Sequence, residues 1–467
     1  MKYSDLPHWS ALAAKWAADY HDTLRDRPVR PRVRPGEITA QLPVAPPDDP
    51  DPMDTIFDDF TKVVPDAMTH WQHPRFMAYF TSNAAPASML AEQLANAISA
   101  QCMLWQTSPA ATEIEVVMID WLRQALGLRD GFVGTIHDSA TTATLSAILT
   151  MRERALDWRG LQTGLTQEKP IRIYASAQTH SSIDKAVRLA GIGQDNLVKI
   201  PTNDVFAMDT AALDRAIRAD LKAGYLPAGV VGCTGGTSIG ACDDIKGLIE
   251  VARAHDLYTH VDAAWAGSAM ICPEFRHLWD GVDNADSIVF NPHKWLGANF
   301  DCAVQFLADP KLQIQTLGLR PDYLQTLEQG EVTDFNEWTV PLGRRFRALK
   351  LWFLIRAYGL EGLRSRIRNH VAWTQMVAKA VAAIPGCRIT TQPILNLFSF
   401  AHETDATTRK LLEAINEDGR IYLTQTIHDG QFVIRVTMGQ FEMEERDAQT
   451  AIDVISQHTA ALGKSGA

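Results

Sequence analysis

The residue of this 467-residue chain with the clearest chemical potential is a lysine behind an apolar stretch. Lys294 follows residues 287–290, which predict a buried strand, and stands beside His293. Lysine is uncommon at such a place because an unpaired ammonium group is costly to desolvate. A desolvated lysine loses its proton more easily, and the neutral amine can form a Schiff base with an aldehyde. Lys294 is therefore a candidate for covalent chemistry; a lysine that snorkels to water at a strand end is the structural alternative.

A carboxylate earlier in the chain could serve the same site. Asp262 ends a second apolar stretch, residues 258–261, and is followed by Ala263 and Ala264. An aspartate at a strand end is often only a helix cap or a turn former. Beside a Schiff-base lysine, however, it can keep the ring nitrogen of pyridoxal phosphate (PLP) protonated, as this electron sink requires. The pair of Lys294 and Asp262 therefore predicts a PLP site, in which the two small alanines let the flat ring lie close to the backbone.

Several segments of the chain resemble group II PLP-dependent amino acid decarboxylases, and among these the aromatic-L-amino-acid decarboxylases, closest in character to the bacterial ones. The segments are residues 260–264, 271–276, 291–296 and 341–347, with a weaker similarity at 432–435. The resemblance implies an α/β protein of PLP-dependent transferase fold type I. Such a fold has a large domain with a mostly parallel seven-stranded sheet flanked by helices, a small α+β C-terminal domain and an N-terminal helical arm.

The resemblance also implies an activity, the decarboxylation of an aromatic L-amino acid to the arylalkylamine and CO2. It assigns catalytic roles to Lys294, Asp262 and His180, the last of which stacks on the cofactor ring and faces the substrate carboxylate. Residues 318–335 read as a lid, in which Tyr323 returns a proton to the α-carbon. Related enzymes form aldehydes with O2 and often carry phenylalanine or asparagine at the positions of Tyr323 and His180, so the residues present favour decarboxylation. An inactive dimeric scaffold is disfavoured because every matched position is filled.

The cofactor phosphate needs backbone N–H groups, which a helix N-terminus offers. Residues 135–144 predict a strand, a turn of small residues and a helix, although an ordinary Ser/Thr N-cap is the structural alternative. Asp138 stands where the family pattern usually has glycine. The resemblance assigns cofactor contacts to Lys294, Asp262, Ala264, His180, Ala140, Thr141, Thr237, Asn291 and His293, and a supporting role to Asp243.

Substrate contacts are also implied by the resemblance. They are assigned to Tyr79, Ser82, Met103, His180 and Gly343. For Met103, a place in the core of a helix is nearly as good an interpretation. Glycine at the position of Gly343 goes with indolic substrates in plant relatives, yet tryptophan, tyrosine, DOPA, phenylalanine and 5-hydroxytryptophan all remain open.

Composition limits the classes of partner. The net charge of −11 argues against nucleic acid and anionic membranes, which select basic surfaces. The six cysteines are scattered, without the spacing of a metal site, and suit reduced thiols in a cytoplasmic protein. Neither a signal peptide nor an apolar run of membrane-spanning length is recognisable. We therefore expect no metal, no membrane and a cytoplasmic location.

The order of predicted elements gives the domain organisation. An N-terminal arm (1–60), a PLP-binding α/β domain (61–360) with alternating strands and helices, and a small C-terminal domain (361–467) are expected. In a parallel sheet, ligands bind at the carboxyl ends of strands, where Asp262 and Lys294 fall. Trp9, Trp16 and Tyr20 recur at helical spacing over residues 6–24. The family resemblance suggests that this stripe packs on a second subunit, which predicts a homodimer.

Overall fold

The computed structural model describes residues 1–319 and 331–464 of the chain. The chain divides into two compact units. The small unit comprises Met1–Thr81, Trp373–Gln392 and Ser399–Ala467, and the large unit comprises Ser82–Ala372 and Pro393–Phe398. No helix in the described part of the chain combines the length and apolarity that crossing a membrane requires.

The secondary structure alternates between helices and strands over most of the large unit. The helices are α1 (Leu6–Asp22), α2 (Met53–Val63), α3 (Pro86–Ile98), α4 (Pro109–Leu126), α5 (Ala140–Ala155), α6 (Gly160–Thr163), α7 (Ser181–Leu189), α8 (Thr210–Ala223), α9 (Ile245–Ala254), α10 (Pro292–Trp295), α11 (Pro310–Leu317), α12 (Ala348–Ala382), α13 (Asp405–Asp418) and α14 (Glu445–Lys464). The strands are β1 (Val133–His137), β2 (Ile171–Ser176), β3 (Leu197–Ile200), β4 (Leu226–Cys233), β5 (Tyr258–Asp262), β6 (Ser287–Phe290), β7 (Ala303–Leu307), β8 (Arg388–Ile394), β9 (Leu397–Ala401), β10 (Thr424–His428) and β11 (Gln431–Thr437).

The large unit is built on a seven-stranded sheet in the order β1-β7-β6-β5-β4-β2-β3. The pairs among β2 to β6 are parallel, whereas β7 runs antiparallel to both β6 and β1. Every residue of β5 and β6 is buried, as expected for central strands with helices on both faces. The predicted α/β fold with a mostly parallel seven-stranded sheet is confirmed.

A second sheet of four strands, in the order β10-β11-β9-β8, accompanies helices α13 and α14. The predicted small α+β region is therefore present. The sequence predicts a strand at 421–424 from its apolar residues, but β10 lies later in the chain, because the turn to β11 is formed by Asp429 and Gly430. Both residues have positive φ angles, 48° and 77°, which suit a tight hairpin.

The N-terminal helix packs on the small unit's own residues. The rings of Trp9 and Trp16 contact those of Phe57 and Phe60 of α2, at centroid distances of 6.1 and 4.9 Å. Trp9 and Trp16 nevertheless stay half-buried, so the packing of this stripe on a second subunit stays a prediction. The aromatic surface of α2 is a partner within the same unit that the sequence reasoning had not paired with α1.

Candidate active site

A cavity of about 260 Å³ lies at the carboxyl ends of the central strands of the large unit. Among the described residues its wall contains eight of the nine predicted cofactor contacts: Ala140, Thr141, His180, Thr237, Asp262, Ala264, Asn291 and Lys294. The wall also contains Ser139, Ser182, Cys233, Gly235, Gly236 and Trp265. A larger cavity of about 740 Å³ in the small unit contains none of the predicted site residues. The smaller cavity is therefore the candidate site.

Lys294 lies in the short helix α10, directly after β6. Its backbone is fixed at both ends, because its N–H donates to the Asn291 carbonyl at 2.9 Å and its own carbonyl accepts from Asn83 Nδ2 at 2.9 Å. The next residue, Trp295, is buried and donates its indole N–H to His370 Nδ1 at 2.9 Å. These bonds fix the backbone that carries the Lys294 side chain, which forms part of the cavity wall.

Asp262 ends β5 and is 7% exposed. Its Oδ1 accepts the N–H of Ala264 at 3.0 Å, while the Ala264 carbonyl accepts the N–H of Asn291 at 2.8 Å. The carboxylate and the segment that carries Lys294 are thus connected through two hydrogen bonds at the ends of neighbouring parallel strands. This arrangement explains how residues far apart in sequence reach one cavity.

His180 is the N-cap of α7 and accepts the Ser182 N–H on Nδ1 at 3.1 Å. Because Nδ1 is an acceptor, the neutral ring carries its proton on Nε2 and can donate from that side. Burial is the main cause that lowers the pKa of His180; the positive charge of Lys294 also lowers it, while Asp262 opposes the change. The histidine is therefore a neutral donor at neutral pH.

The N-terminus of α5 forms another part of the wall. Ser139 is the N-cap and accepts the N–H of Thr142 at 3.3 Å. The N–H groups of Ala140 and Thr141 belong to the first helical turn, where no intrahelical acceptor exists. Their position in the wall offers two backbone donors and the positive end of a helix dipole to an anion.

A tight turn after β4 completes the wall. Gly235 has a φ of 86°, and a Cβ at this position would lie 2.8 Å from the ring of Trp265, so only glycine fits. The buried Asp243 accepts the N–H of Cys233 at 2.8 Å and of Met208 at 2.7 Å. Burial raises the pKa of Asp243. Asp243 therefore supports the end of β4 from outside the wall, in line with its predicted supporting role.

The residues present fit PLP. The wall offers an amine, a carboxylate and a helix N-terminus, which match the aldehyde, ring nitrogen and phosphate of that molecule. Asn291 adds a buried side-chain oxygen atom, Oδ1, that has no hydrogen-bond partner in the described part of the chain. Buried polar atoms without a hydrogen-bond partner are rare in folded proteins. A bound polar ligand would supply the partner that Asn291 Oδ1 lacks.

Among the described residues, the remaining predicted contacts do not line this wall. His293 is buried and its Nδ1 accepts the Cys302 N–H at 2.9 Å; burial lowers its pKa to about 3. Its contact with a cofactor stays a prediction. Ser82 is half-buried in the large unit, and Tyr323 lies outside the described residues. Tyr79 belongs to the small unit, where it is 51% exposed and its carbonyl accepts from Thr437 Oγ1 at 2.9 Å.

Met103 and Gly343 belong to two segments of the large unit that are hydrogen-bonded to each other, because the Cys102 N–H donates to the Arg344 carbonyl at 2.9 Å. A Cβ on Gly343 would meet Gln101 Nε2 at 3.0 Å, and Gln101 Oε1 accepts the Arg344 N–H at 2.7 Å. Gly343 lines a separate cavity of about 210 Å³. The structure therefore brings these two predicted substrate contacts together but does not place them in the wall with Lys294.

A buried chain of polar side chains beneath α5 was missed by sequence reasoning. His260 Nδ1 lies 3.0 Å from Ser287 Oγ, which accepts from Gln305 Nε2 at 3.0 Å, and Gln305 Oε1 lies 2.8 Å from His137 Nε2. His260 Nε2 contacts Thr144 Oγ1 of α5 at 3.4 Å. A signal was present, since His260 and Asp262 are two residues apart and so lie on one face of β5.

Comparison with known proteins agrees with this site. The family model described as the pyridoxal-dependent decarboxylase conserved domain matches residues 35–403. The chain is 38% identical to the aromatic-L-amino-acid decarboxylase of Sus scrofa, over 99% of this chain and 98% of that protein. The crystal structure of Oryza sativa TDC with PLP and tryptamine superposes with a TM-score of 0.96, at 34% identity and 99% coverage of both chains.

A third match is a protein with a different named product. The crystal structure of Rhodiola rosea 4-hydroxyphenylacetaldehyde synthase superposes with a TM-score of 0.92, at 36% identity and 99% coverage of both chains. Since the family model spans most of the sequence and relatives align along nearly its whole length, the chain belongs to the family of pyridoxal-dependent decarboxylases.

Proposed function

We propose that this chain removes the α-carboxyl group of an aromatic L-amino acid as CO2 and yields the corresponding arylalkylamine, with PLP held at Lys294. The observation that carries the proposal is the single cavity shared by Lys294, Asp262 and the N-terminus of α5. The relatives named for decarboxylation of aromatic amino acids support the substrate class. Tryptophan, tyrosine, DOPA, phenylalanine and 5-hydroxytryptophan are the candidate substrates.

Each wall residue has a defined task in this proposal. Bound PLP supplies an electron sink for the pair of electrons that departing CO2 leaves on the α-carbon. Asp262 would hold a proton on the ring nitrogen of bound PLP, and the Lys294 amine would hold the cofactor at its aldehyde. His180 offers its Nε2–H to the substrate carboxylate and so orients the bond that breaks. Tyr323 delivers a proton to the α-carbon.

The phosphate is assigned to the backbone N–H groups of Ala140 and Thr141 and the hydroxyl of Thr141. Thr237 and Asn291, which share the wall, contribute side-chain contacts. The free N–H groups and the helix dipole at the start of α5 support this assignment. They favour the binding of an anion, and this preference does not depend on the rest of the ligand.

The experiment is a direct assay of the purified protein. Incubation with each of the five amino acids, with amine and CO2 measured together, should give equal amounts of both for at least one substrate. Borohydride reduction followed by peptide mapping should place a pyridoxyl group on Lys294, and Lys294→Ala should remove both label and turnover. A label on another lysine would overturn the site, whereas release of neither product would overturn the reaction.

Aldehyde formation is the second candidate, because one similar structure is that of an aldehyde synthase. In that reaction O2 is consumed, and ammonia and peroxide accompany the aldehyde. His180 and Tyr323 are both present, which supports plain decarboxylation. The same assay with an oxygen electrode separates the two, since amine production without oxygen uptake excludes the synthase.

We also propose a homodimer. Leu90, Leu94 and Ile98 follow one another at four-residue intervals on α3 and are 50%, 44% and 62% exposed, a pattern that supports burial against another chain. A cytoplasmic location stays a prediction from the cysteine pattern.

A further inference from the structure

Asp138 is the residue at which the sequence departs from the glycine usual in its family, and it lies directly before the N-cap of α5. Its Oδ1 accepts a hydrogen bond of 2.5 Å from Thr142 Oγ1 and another of 3.4 Å from Ser139 Oγ. Both donors belong to the start of the helix. The carboxylate is thereby held against the first turn of α5.

No cation in the described part of the chain forms an ion pair with this carboxylate. The two arginines that share a cavity with Asp138 form ion pairs with other carboxylates. Arg344 pairs with Glu115 at 2.6 Å, and Arg347 pairs with Asp301 at 2.7 Å. Arg347 still acts on Asp138 through space, since the charge of Asp138 is one of the smaller causes that raise the pKa of Arg347, after burial, which lowers it, and Asp301, which raises it. Without an ion pair of its own, the Asp138 carboxylate also interacts with the positive end of the α5 dipole.

The same helix end is the one assigned to the cofactor phosphate. Ala140 and Thr141, which face the cavity of Lys294, are two and three residues after Asp138. A carboxylate at a helix N-terminus stabilises the folded protein when no other anion is bound at that N-terminus. When a phosphate of charge near −2 arrives at the neighbouring N–H groups, the two anions share one dipole and repel each other.

We infer that the Asp138 carboxylate stabilises the cofactor-free form of this protein and weakens its binding of PLP. The inference rests on the proposed assignment of the phosphate to Ala140 and Thr141. It makes Asp138 a residue that sets how readily the cofactor is released, separate from the residues that act on the substrate.

The test uses Asp138→Asn, which removes the charge but keeps an oxygen acceptor for Thr142. The apoprotein is titrated with PLP, with bound cofactor measured by absorbance, and the melting temperature of the apoprotein is measured alone. We expect the Kd for PLP to fall by roughly 3- to 10-fold, the size of a charge–charge repulsion across one helical turn in a partly hydrated site. The apoprotein should melt about 1 °C lower because its helix end loses an anion.

One control variant and one change of salt concentration test whether these effects come from the charge of Asp138. Asp209 is the N-cap of α8 and accepts the Ala212 N–H at 3.0 Å, away from the cavity wall. Asp209→Asn should lower the melting temperature of the apoprotein without changing the Kd for PLP. The gain in affinity of Asp138→Asn should shrink in 1 M salt, because screening weakens the repulsion that the variant removes.

Thr141→Val tests the phosphate assignment itself, because it removes the predicted side-chain contact. If Thr141→Val weakens PLP binding while Asp138→Asn leaves it unchanged or weaker, the inference about Asp138 is wrong and the phosphate site stands. If neither variant changes the Kd, the Thr141 hydroxyl does not contact the phosphate, and both that contact and the inference about Asp138 are overturned.

Discussion

The buried histidine of β5 makes a quantitative prediction about acid stability. His260 has no exposed surface, and both of its ring nitrogens contact hydroxyl groups, those of Ser287 and Thr144. Burial lowers the pKa of His260 to about 4. In the unfolded chain the same side chain titrates near its ordinary value of about 6.5. At a pH between these two pKa values, His260 is protonated in the unfolded state but mostly neutral in the folded state. The free energy of unfolding must therefore fall as the pH falls.

The size of the effect follows from the two pKa values. At pH 7 neither state binds much proton at this residue, whereas at pH 5 the unfolded state is almost fully protonated and the folded state is about one tenth protonated. Proton linkage then lowers the free energy of unfolding by about 2 kcal/mol between pH 7 and pH 5. Well below pH 4, where His260 is protonated in both states, the loss is complete and reaches about 3 kcal/mol.

The assay compares urea unfolding of wild type and His260→Gln at pH 7 and pH 5, followed by tryptophan fluorescence. Glutamine keeps hydrogen-bonding groups in the space but does not titrate. We expect wild type to lose about 2 kcal/mol more than the variant over this interval, since contributions from other groups cancel in the comparison. His277→Gln, which changes an exposed histidine, is the control and should behave as wild type. Parallel pH dependence of wild type and His260→Gln would refute the reasoning.

Three further predictions concern the site and the assembly. Asp262→Asn should retain PLP but lower kcat at least about 100-fold, because the lost charge matters most when negative charge develops during reaction; an absorbance spectrum and steady-state kinetics check both parts. Tyr323→Phe should lower amine formation by about 10²–10⁴-fold while CO2 release continues, with oxygen-dependent aldehyde in its place; near wild-type amine formation would remove Tyr323 as the proton donor. Leu94→Glu should convert the proposed dimer to a monomer, because it puts a charge into the apolar stripe of α3. Light scattering measures the mass, and the control Leu161→Glu, at another exposed leucine, should leave that mass unaltered.

Most strands of the large sheet were predictable because they are short, mainly apolar runs between turn residues. The strands that the sequence predicts at 197–200 and 287–290 have the bounds of β3 and β6, and the strand predicted at 258–261 extends one residue further, as β5, to include Asp262. Strand β10 was misplaced because its burial alternates along an exposed strand and gives no apolar run. The Asp429-Gly430 pair was the better signal, since residues that tolerate positive φ mark a tight hairpin whatever the strands contain.

The candidate site was predictable to the extent that it depends on strand ends. Parallel strands bring their carboxyl ends to one edge, so Asp262 and Lys294 could be paired from sequence alone. Met103 and Gly343 illustrate the limit, because their neighbourhood depends on Gln101, a residue without a recognisable motif. His293 illustrates another limit, since a residue next to Lys294 in sequence need not line the same cavity wall, and its contact with a cofactor stays a prediction.

The polar chain under α5 has a physical use that apolar residues could not supply. Apolar side chains would bury as much surface, but hydrophobic contact is not directional and would allow the helix small shifts along the sheet. Hydrogen bonds from His260 to Thr144, and from Gln305 to the Ala143 carbonyl at 3.5 Å, depend on direction and so select one position of the helix. The N–H groups at the start of α5 are rigidly connected to that position. A cofactor site requires placement within about 0.5 Å, which explains why buried polar groups lie where packing alone would have sufficed for stability.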